Sequence, residues 1–390
     1  MSRILKIMVA LLAIAAIAAP VMAEDRLSLS GSMQVRGHFY DFDSDIDADD
    51  ESAAWNDQRL RIAGKLSVAE GVSVNFRFDA TESEENQSGA TPWGNIGQNT
   101  HRRADIQFDK AYLQLEKNDY TFTAGQQYFS QGLIGTVGDH VGTGFILKRS
   151  PVALFHTKTV DDDITETDAS LTGAQFSFGN DTMAGKVFGI YDQGTASGDE
   201  LYALGFSFDS DLEAVNVKGE LNYFDGENAA GVDEKGLQLY VDVSAEVNET
   251  VTVGGLAIYA KAEDTDDQIT RVTGTGFAGF SPQTYGYFST DYSIDFDIFD
   301  PSGLNQGSMA GSLYADVKLN DDLSSKFAAM YFTVDDDHTA DMDGFILNAS
   351  ASYALMANTK LNVGINYMNV DEDGTDVDVV QAMTGLYVNF

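Results

Sequence analysis

The chain is 390 residues long, and its 23 Lys and Arg against 61 Asp and Glu leave a formal net charge of −38. It has no Cys, which excludes disulfide staples, thiol catalysis and Cys-ligated metals. So large an acidic excess argues against a nucleic-acid partner, because the phosphate backbone calls for basic surface. Aromatics at 11% and charged residues at only 22% argue against broad disorder. No linker or break in composition divides the chain.

The first 23 residues read as a secretory leader. Arg3 and Lys6 form a basic head, Ile7 to Pro20 is apolar, and Val21-Met22-Ala23 offers a small-residue cleavage signal. Cleavage after Ala23 would leave 24–390 as a single domain. No later apolar run reaches the ~18 residues expected of a transmembrane helix.

Beyond the leader the sequence has a period of two. Over Leu27 to Tyr40 one set is Leu27, Leu29, Gly31, Met33, Val35, Gly37 and Phe39, and the other is Ser28, Ser30, Ser32, Gln34, Arg36, His38 and Tyr40. One face is apolar and the other polar, as in a strand between two media. The pattern returns at 59–68, where Leu60, Ile62, Leu66 and Val68 alternate with Arg59, Arg61 and Lys65. It returns at 72–81, where Val72, Val74, Phe76 and Phe78 alternate with Ser73, Asn75, Arg77 and Asp79. Segments 237–245, 309–319, 345–355 and 361–369 repeat it again.

The connections alternate as well. Short ones such as Ala69-Glu70-Gly71 trade with long acidic ones such as 41–56, 82–101 and 225–235. Short turns at one end and long loops at the other predict a transmembrane antiparallel β-barrel. Strands of about 9–14 residues suit a tilted crossing of the bilayer. The predicted strands are 27–40, 57–68, 72–82, 102–115, 120–128, 141–149, 152–158, 168–178 and 183–191. They continue at 200–208, 213–224, 235–246, 251–261, 308–319, 324–334, 344–355, 360–370 and 378–390. That makes eighteen, an even number as such barrels have. If 141–158 folds as a loop around Ser150-Pro151, sixteen remain. The stretch 262–307 is too long for a plain loop and could hold a hairpin outside the barrel.

A soluble β-sandwich or β-helix would alternate too. The asymmetry of the connections and the last strand argue against it. That strand carries Val380, Ala382, Thr384, Leu386, Val388 and Phe390 on one face and stops there. With the leader ending Val21-Met22-Ala23, the amphipathic strands and the terminus Leu386-Tyr387-Val388-Asn389-Phe390, the chain resembles the outer-membrane porins of Gram-negative bacteria. The resemblance spans the whole mature chain and carries no substrate signature. Eighteen-stranded specific porins and export channels share the same pattern. It implies a water-filled pore for passive diffusion of small hydrophilic solutes and ions, with a substrate-specific channel for a sugar, anion or acidic polymer as the alternative. It also implies a third long loop folded into the lumen, a homotrimer, and Phe390 as the signal read by the barrel-assembly machinery. That third loop is 129–140 here, with Asp139 as its one acid.

The first three strands put Arg36, Arg59, Arg61, Lys65 and Arg77 on the polar face. With the N-terminus on the periplasmic side, Arg61 and Arg77 fall near mid-height on neighbouring strands. Arg36 lies slightly above, Arg59 higher and Lys65 lower. Arg keeps its charge and presents a rigid donor fork, and charged walls set selectivity in pores. The expected opposing acids are Asp139, Glu220 and Asp242. Arg103, Asp105 and Asp109 could join from the fourth strand, whose parity slips between Phe108 and Ala111. These basic residues could equally serve as wall-filling ion pairs. The Arg cluster points to anions and the total charge to cations. Loop charges are screened over about 8–10 Å, so the expectation is mild cation selectivity or little preference.

The acidic run Asp43 to Glu51 fails as a calcium loop, because the required Gly and Glu are replaced by Ile46 and Ser52, or by Ala48 and Ala54. Such runs read as solvated loops, with weak Ca²⁺ or Mg²⁺ bridging to lipopolysaccharide as the sharper reading. No resident cofactor is expected. Tyr40, Trp55, Tyr112, Tyr120, Tyr128, Tyr191, Tyr223, Tyr331, Tyr367 and Phe390 fall near strand ends, as in an interfacial girdle. The five His, at positions 38, 101, 140, 156 and 338, form no close pair, and there is no G-x-S-x-G elbow. An enzymatic barrel is therefore not expected.

Overall fold

The structure, a computed structural model, describes residues 26–44, 51–82, 94–96, 104–133, 137–160, 169–194, 200–227, 235–262, 307–335, 342–372 and 375–390. The leader, the stretch 263–306 and most of the acidic loops lie outside the described residues.

The strands are β1 (Leu27–Ser44), β2 (Glu51–Ala69), β3 (Val72–Glu82), β4 (Gly94–Ile96), β5 (Ala104–Lys117), β6 (Tyr120–Gln131), β7 (Gly138–Arg149), β8 (Val152–Val160), β9 (Ala169–Asn180) and β10 (Met183–Gly194). Then come β11 (Glu200–Leu212), β12 (Val215–Glu227), β13 (Gly236–Asn248), β14 (Val251–Ala262), β15 (Gly307–Lys318), β16 (Leu323–Asp335), β17 (Met342–Met356), β18 (Thr359–Glu372) and β19 (Thr375–Asn389). All nineteen belong to one sheet. The three-residue β4 pairs with β2 beside the wall, and the other eighteen are the staves of a closed antiparallel barrel. Closure comes from β1 pairing with β19, from Ser32 opposite Asn389 to Ser44 opposite Val377. A closed ladder leaves no unpaired edge, which a wall in contact with lipid requires.

Eighteen staves is the count read from the alternation, and 141–158 supplies two of them. Ser150-Pro151, joined by a cis peptide bond, forms the turn between β7 and β8. The observed strands run past their expected limits mainly at the loop end, as in β1, β2 and β7. Above the apolar band both faces meet water, so the alternation ends while the backbone ladder continues.

The turns at the other end are short for local reasons. Asn118 and Asp119 both take positive φ between β5 and β6, the geometry of a two-residue hairpin turn. Elsewhere an Asn carboxamide organises the turn. Asn180 Oδ1 accepts from the backbone N–H of Thr182 at 2.9 Å and of Met183 at 3.0 Å. Asn320 Oδ1 accepts from Asp322 and Leu323 in the same way.

The two faces of the wall sort as the alternation predicts. On β11 the outward Tyr202, Leu204 and Phe206 are exposed, while the inward Ala203 and Ser207 are buried. The parity slip in β5 is a bulge. Register shifts where Arg77 and Phe78 face Lys110 and Phe108, so Asp109 is the extra residue.

Towards the loop end the inner face becomes apolar over much of the circumference. One buried cluster includes Phe129, Val137, Phe155, Leu171, Phe188 and Phe224, from β6 round to β12. A second includes Tyr240, Ile258, Phe332, Ile346, Met368 and Val379, from β13 round to β19. Tyr40 of β1 and Leu133 pack against the second.

Candidate functional site: a paired ladder on the inner wall

The charged wall spans β1, β2, β3 and β5. Register sets the order of its basic groups. From the loop end downward, Arg36 faces Asp57, Arg59 faces Gln34, Arg61 faces Ser32 and Asp79, Arg77 faces Ala63, and Lys65 faces Asn75. Arg36 thus stands one step above Arg59 in the ladder, whereas counting residues from the strand ends put Arg59 higher.

Three of these arginines meet a carboxylate from the adjacent strand. Arg36 donates through Nε to Asp57 Oδ1 at 2.8 Å and through Nη2 to Oδ2 at 2.6 Å. Both side chains are almost fully buried, at 1% and 0% exposure. His38 Nε2 lies 3.0 Å from the same carboxylate and stacks flat on Trp55, with ring centroids 4.9 Å apart. Arg61 grips Asp79 with two contacts of 2.7 and 2.6 Å. Arg77 pairs with Asp109, the bulge residue, in a more open setting. Arg59 Nη2 donates to Gln34 at 3.3 Å. Two-point pairing of this kind exploits the planar guanidinium fork, which a Lys could not reproduce.

Asp57 is the partner that sequence reasoning missed, and the alternation puts Asp79 on the right face without giving it a role. The signal is present in the parity, since Asp57, Arg59, Arg61, Asp79 and Arg77 share the inner face of two adjacent strands. What a single sequence does not give is the register that brings Asp57 opposite Arg36.

The acids expected on the far wall have identified neighbours. Glu220 on β12 is buried, and its carboxylate accepts from the backbone N–H of Leu133 and from the Asn222 side chain at 2.7 Å. Leu133 lies beyond the end of β6, so the β6–β7 connection reaches β12 across the barrel. Asp242 on β13 accepts from Tyr314 at 2.7 Å and from Tyr240 at 3.3 Å. Asp139 pairs with Ser130 in the backbone ladder, and its side chain lies outside the described ones. Phe129, Ser130 and Gln131 pair with His140, Asp139 and Gly138, so much of the expected loop 129–140 extends strands β6 and β7.

The wall continues beyond the ladder. Lys110 and Lys148 line a cavity of about 210 Å³ on the inner face with Tyr112, Thr121, Thr123 and Gln127. The expected girdle divides. Tyr223, Tyr331 and Phe390 are exposed on the outer face. Tyr40, Trp55 and Tyr112 stand on the inner face instead, at the inner cluster, on His38 and beside Lys110. Position near a strand end selects height, but parity selects the side of the wall.

At the seam Phe390 exchanges two backbone hydrogen bonds with Gly31, at 2.7 and 3.0 Å. The last residue therefore closes the ladder onto the first strand. Among the described residues no cluster of His, Asp and Glu could hold a metal ion.

The sequence matches the model of the Gram-negative porin family over residues 10–373. A comparison with curated proteins finds no match. Among solved structures the barrel is similar to OccAB4 of Acinetobacter baumannii, at 11% identity and a TM-score of 0.57, over 94% of this chain and 99% of that one. It is similar to a BenF-like porin of Pseudomonas fluorescens, at 12% identity and a TM-score of 0.60, over 93% and 99%. It is also similar to OpdK of Pseudomonas aeruginosa, solved with vanillate, at 10% identity and a TM-score of 0.58, over 93% and 99%. At these identities the likeness is one of fold. The family match spans nearly the whole chain: it belongs to the Gram-negative porins, and its barrel is an outer-membrane channel for small solutes.

Proposed function

We propose that the channel works by passive diffusion, with its selective surface on the wall formed by β1, β2, β3 and β5. The observation that carries this is the two part-exposed adjacent pairs Arg61–Asp79 and Arg77–Asp109, with the buried Arg36–Asp57 pair set in the wall above them. Each pair is nearly neutral as a unit but strongly dipolar. Such a wall orients polar solutes and disfavours apolar ones without demanding one sign of ion. Arg59 and Lys65 add uneven positive charge to it. Asp139, Glu220 and Asp242 are the acids assigned to the opposing side. The preference between small cations and anions is weak.

Transport of this kind needs no covalent step, and no catalytic residue is assigned. The leader 1–23 is removed on export, and Phe390 serves as the assembly signal. The working form is a homotrimer in lipid and lipopolysaccharide. Acidic loops bind Ca²⁺ or Mg²⁺ no more than weakly.

A second reading has a specific observation behind it. The Leu133–Glu220 contact carries the β6–β7 connection across the barrel. A crossing at that level narrows the lumen and favours a channel selective for one class of solute. OpdK was solved with vanillate, so an aromatic acid is a reasonable first solute to try.

Planar-bilayer recording of the mature protein across a KCl gradient tests both readings. Steady conductance with a reversal potential near zero supports diffusion. Saturable block by a single solute moves the assignment to the selective reading. Absence of conductance from folded protein overturns both.

A further inference from the structure

The inner wall has a hollow beside the paired ladder whose spare polar groups are donors. Register sets Tyr112 of β5, Gly125 of β6, Gly144 of β7 and Thr157 of β8 in one inward row. The two glycines leave the middle of that row bare. The wall admits no side chain at either place. An added Cβ would come within 2.5 Å of the Ala111 carbonyl oxygen at Gly125, and within 2.0 Å of the His156 carbonyl oxygen at Gly144. The cavity of about 210 Å³ lies against this row, with Lys110, Tyr112, Thr121, Thr123, Gln127 and Lys148 in its lining.

Some of the lining is already committed. Gln127 accepts from Thr123 Oγ1 at 2.6 Å and donates to the Gly144 carbonyl at 3.3 Å. Gln114 donates to Glu116, and Arg77 holds Asp109 next to Lys110. Lys110 Nζ stands 5.5 Å from the centre of the Tyr128 ring. Among the described residues no carboxylate forms an ion pair with Lys110 or Lys148, and the hydroxyls of Tyr112 and Thr121 make no hydrogen bond. The two lysines enter from opposite ends. Lys148 faces Thr121 in the ladder, whereas Lys110 stands one inward step above the Tyr112–Gly125 pair, level with Gln127. On β6 those levels are separated by roughly 20 Å of strand.

We propose that this hollow binds a two-phosphate anion, inorganic diphosphate or the diphosphate end of a small organic molecule, with one phosphoryl group at each lysine. Four donor groups with no acid paired to them call for a ligand made of acceptors. A Lys ammonium is a compact point charge, and it and a hydroxyl meet a tetrahedral oxyanion from any direction. A planar carboxylate is matched by the Arg fork instead, and the neighbouring forks of Arg61 and Arg77 are filled by Asp79 and Asp109. The separation of the lysines sets the length. A single orthophosphate reaches one of them, while two linked phosphoryl groups reach both, with Tyr112 and Thr121 donating from the sides. Basic side chains on a pore wall serve phosphate in this way. The inference rests on the channel reading, because the hollow opens to the conducted solution.

The test titrates sodium diphosphate into the full folded barrel in detergent at low ionic strength, followed by isothermal titration calorimetry. The same anion is then added to the bilayer chamber during single-channel recording. Saturable binding is expected, with orthophosphate and succinate each about tenfold weaker or worse. Lys110→Gln and Lys148→Gln should each weaken diphosphate about tenfold, as loss of a charged hydrogen bond does, and should change orthophosphate less. Lys148 is exposed, so Lys148→Gln carries the test if Lys110→Gln does not give a heat-modifiable barrel. No saturable binding by wild type overturns the inference, as does equal diphosphate affinity in wild type and Lys148→Gln. Succinate binding as tightly as diphosphate also overturns it and makes the hollow a general anion site. Conductance without diphosphate binding removes this site and leaves the channel. Diphosphate binding without conductance keeps the site and removes the channel reading.

Discussion

Arg36 and Asp57 form a two-point ion pair in which neither side chain reaches solvent, at 1% and 0% exposure. His38 and Trp55 pack around it, and His38 shares the same carboxylate. This is an unusual place for full charges inside a channel. A buried pair of this kind adds little net stability over a packed apolar pair, but losing one partner strands the other charge.

Asp57→Ala should therefore cost about 3–5 kcal/mol, the range for an orphaned buried charge. Asp109→Ala removes the partner of Arg77 in a pair that is about a quarter exposed, and should cost about 1 kcal/mol or less. Urea unfolding of the detergent-solubilised barrel measures both. Similar costs for the two substitutions would mean that burial does not separate them.

The middle of the ladder should set the ion preference. Arg61 and Asp79 compensate each other through contacts of 2.7 and 2.6 Å. Asp79→Asn leaves Arg61 uncompensated beside Arg59 and should move the reversal potential in a KCl gradient towards anions. Arg61→Gln should move it towards cations. The shifts should shrink above about 1 M salt, where the screening length falls to ~3 Å. Two variants that shift the potential in the same direction would remove Arg61 and Asp79 from the conducting path.

Much of the fold is legible because a barrel wall writes itself into parity. Leu27 to Phe39 and Val72 to Phe78 announce their two faces, and the slip at Phe108–Ala111 announces the bulge at Asp109. The ladder's position follows from the same parity. Its pairing does not, because Asp57 opposite Arg36 depends on which residue of β2 meets which of β1. Parity also marks Glu220 as an inward acid. Its contact with Leu133 is beyond reach, since those residues are 87 apart and the alternation says nothing about what crosses a lumen. The inward placement of Tyr40, Trp55 and Tyr112 is readable in parity, and grouping aromatics by strand end obscures it.

The Glu220 contact makes a prediction about the pore. If the carboxylate holds the β6–β7 connection across the lumen, Glu220→Ala should free it and raise both conductance and current noise. Glu220→Gln keeps an acceptor for the Leu133 N–H and a partner for Asn222, so it should stay close to wild type. Neutralisation alone would affect both variants equally. Single-channel recordings that find Glu220→Gln and Glu220→Ala alike would assign the residue to the electrostatics of the lumen instead of to loop placement.

The seam makes the last prediction. The Phe390 ring lies over Gly31, where an added Cβ would come within 2.6 Å of the ring and 2.5 Å of the Arg61 carbonyl oxygen. A side chain at position 31 must therefore displace a flexible ring and also press on fixed backbone. Gly31→Val should lower the yield of folded, heat-modifiable barrel severely, while Phe390→Ala alone should lower it moderately by uncovering the glycine. Combining Phe390→Ala with Gly31→Val removes the ring clash but leaves the contact with Arg61. If packing at the seam governs closure, the double variant should fold better than Gly31→Val and worse than Phe390→Ala. If Phe390 acts only as a signal to the assembly machinery, the two losses should add. Refolding purified chains into detergent, without that machinery, separates the cases: seam packing predicts that the partial rescue persists there, and a pure signal predicts that Phe390→Ala then has no effect.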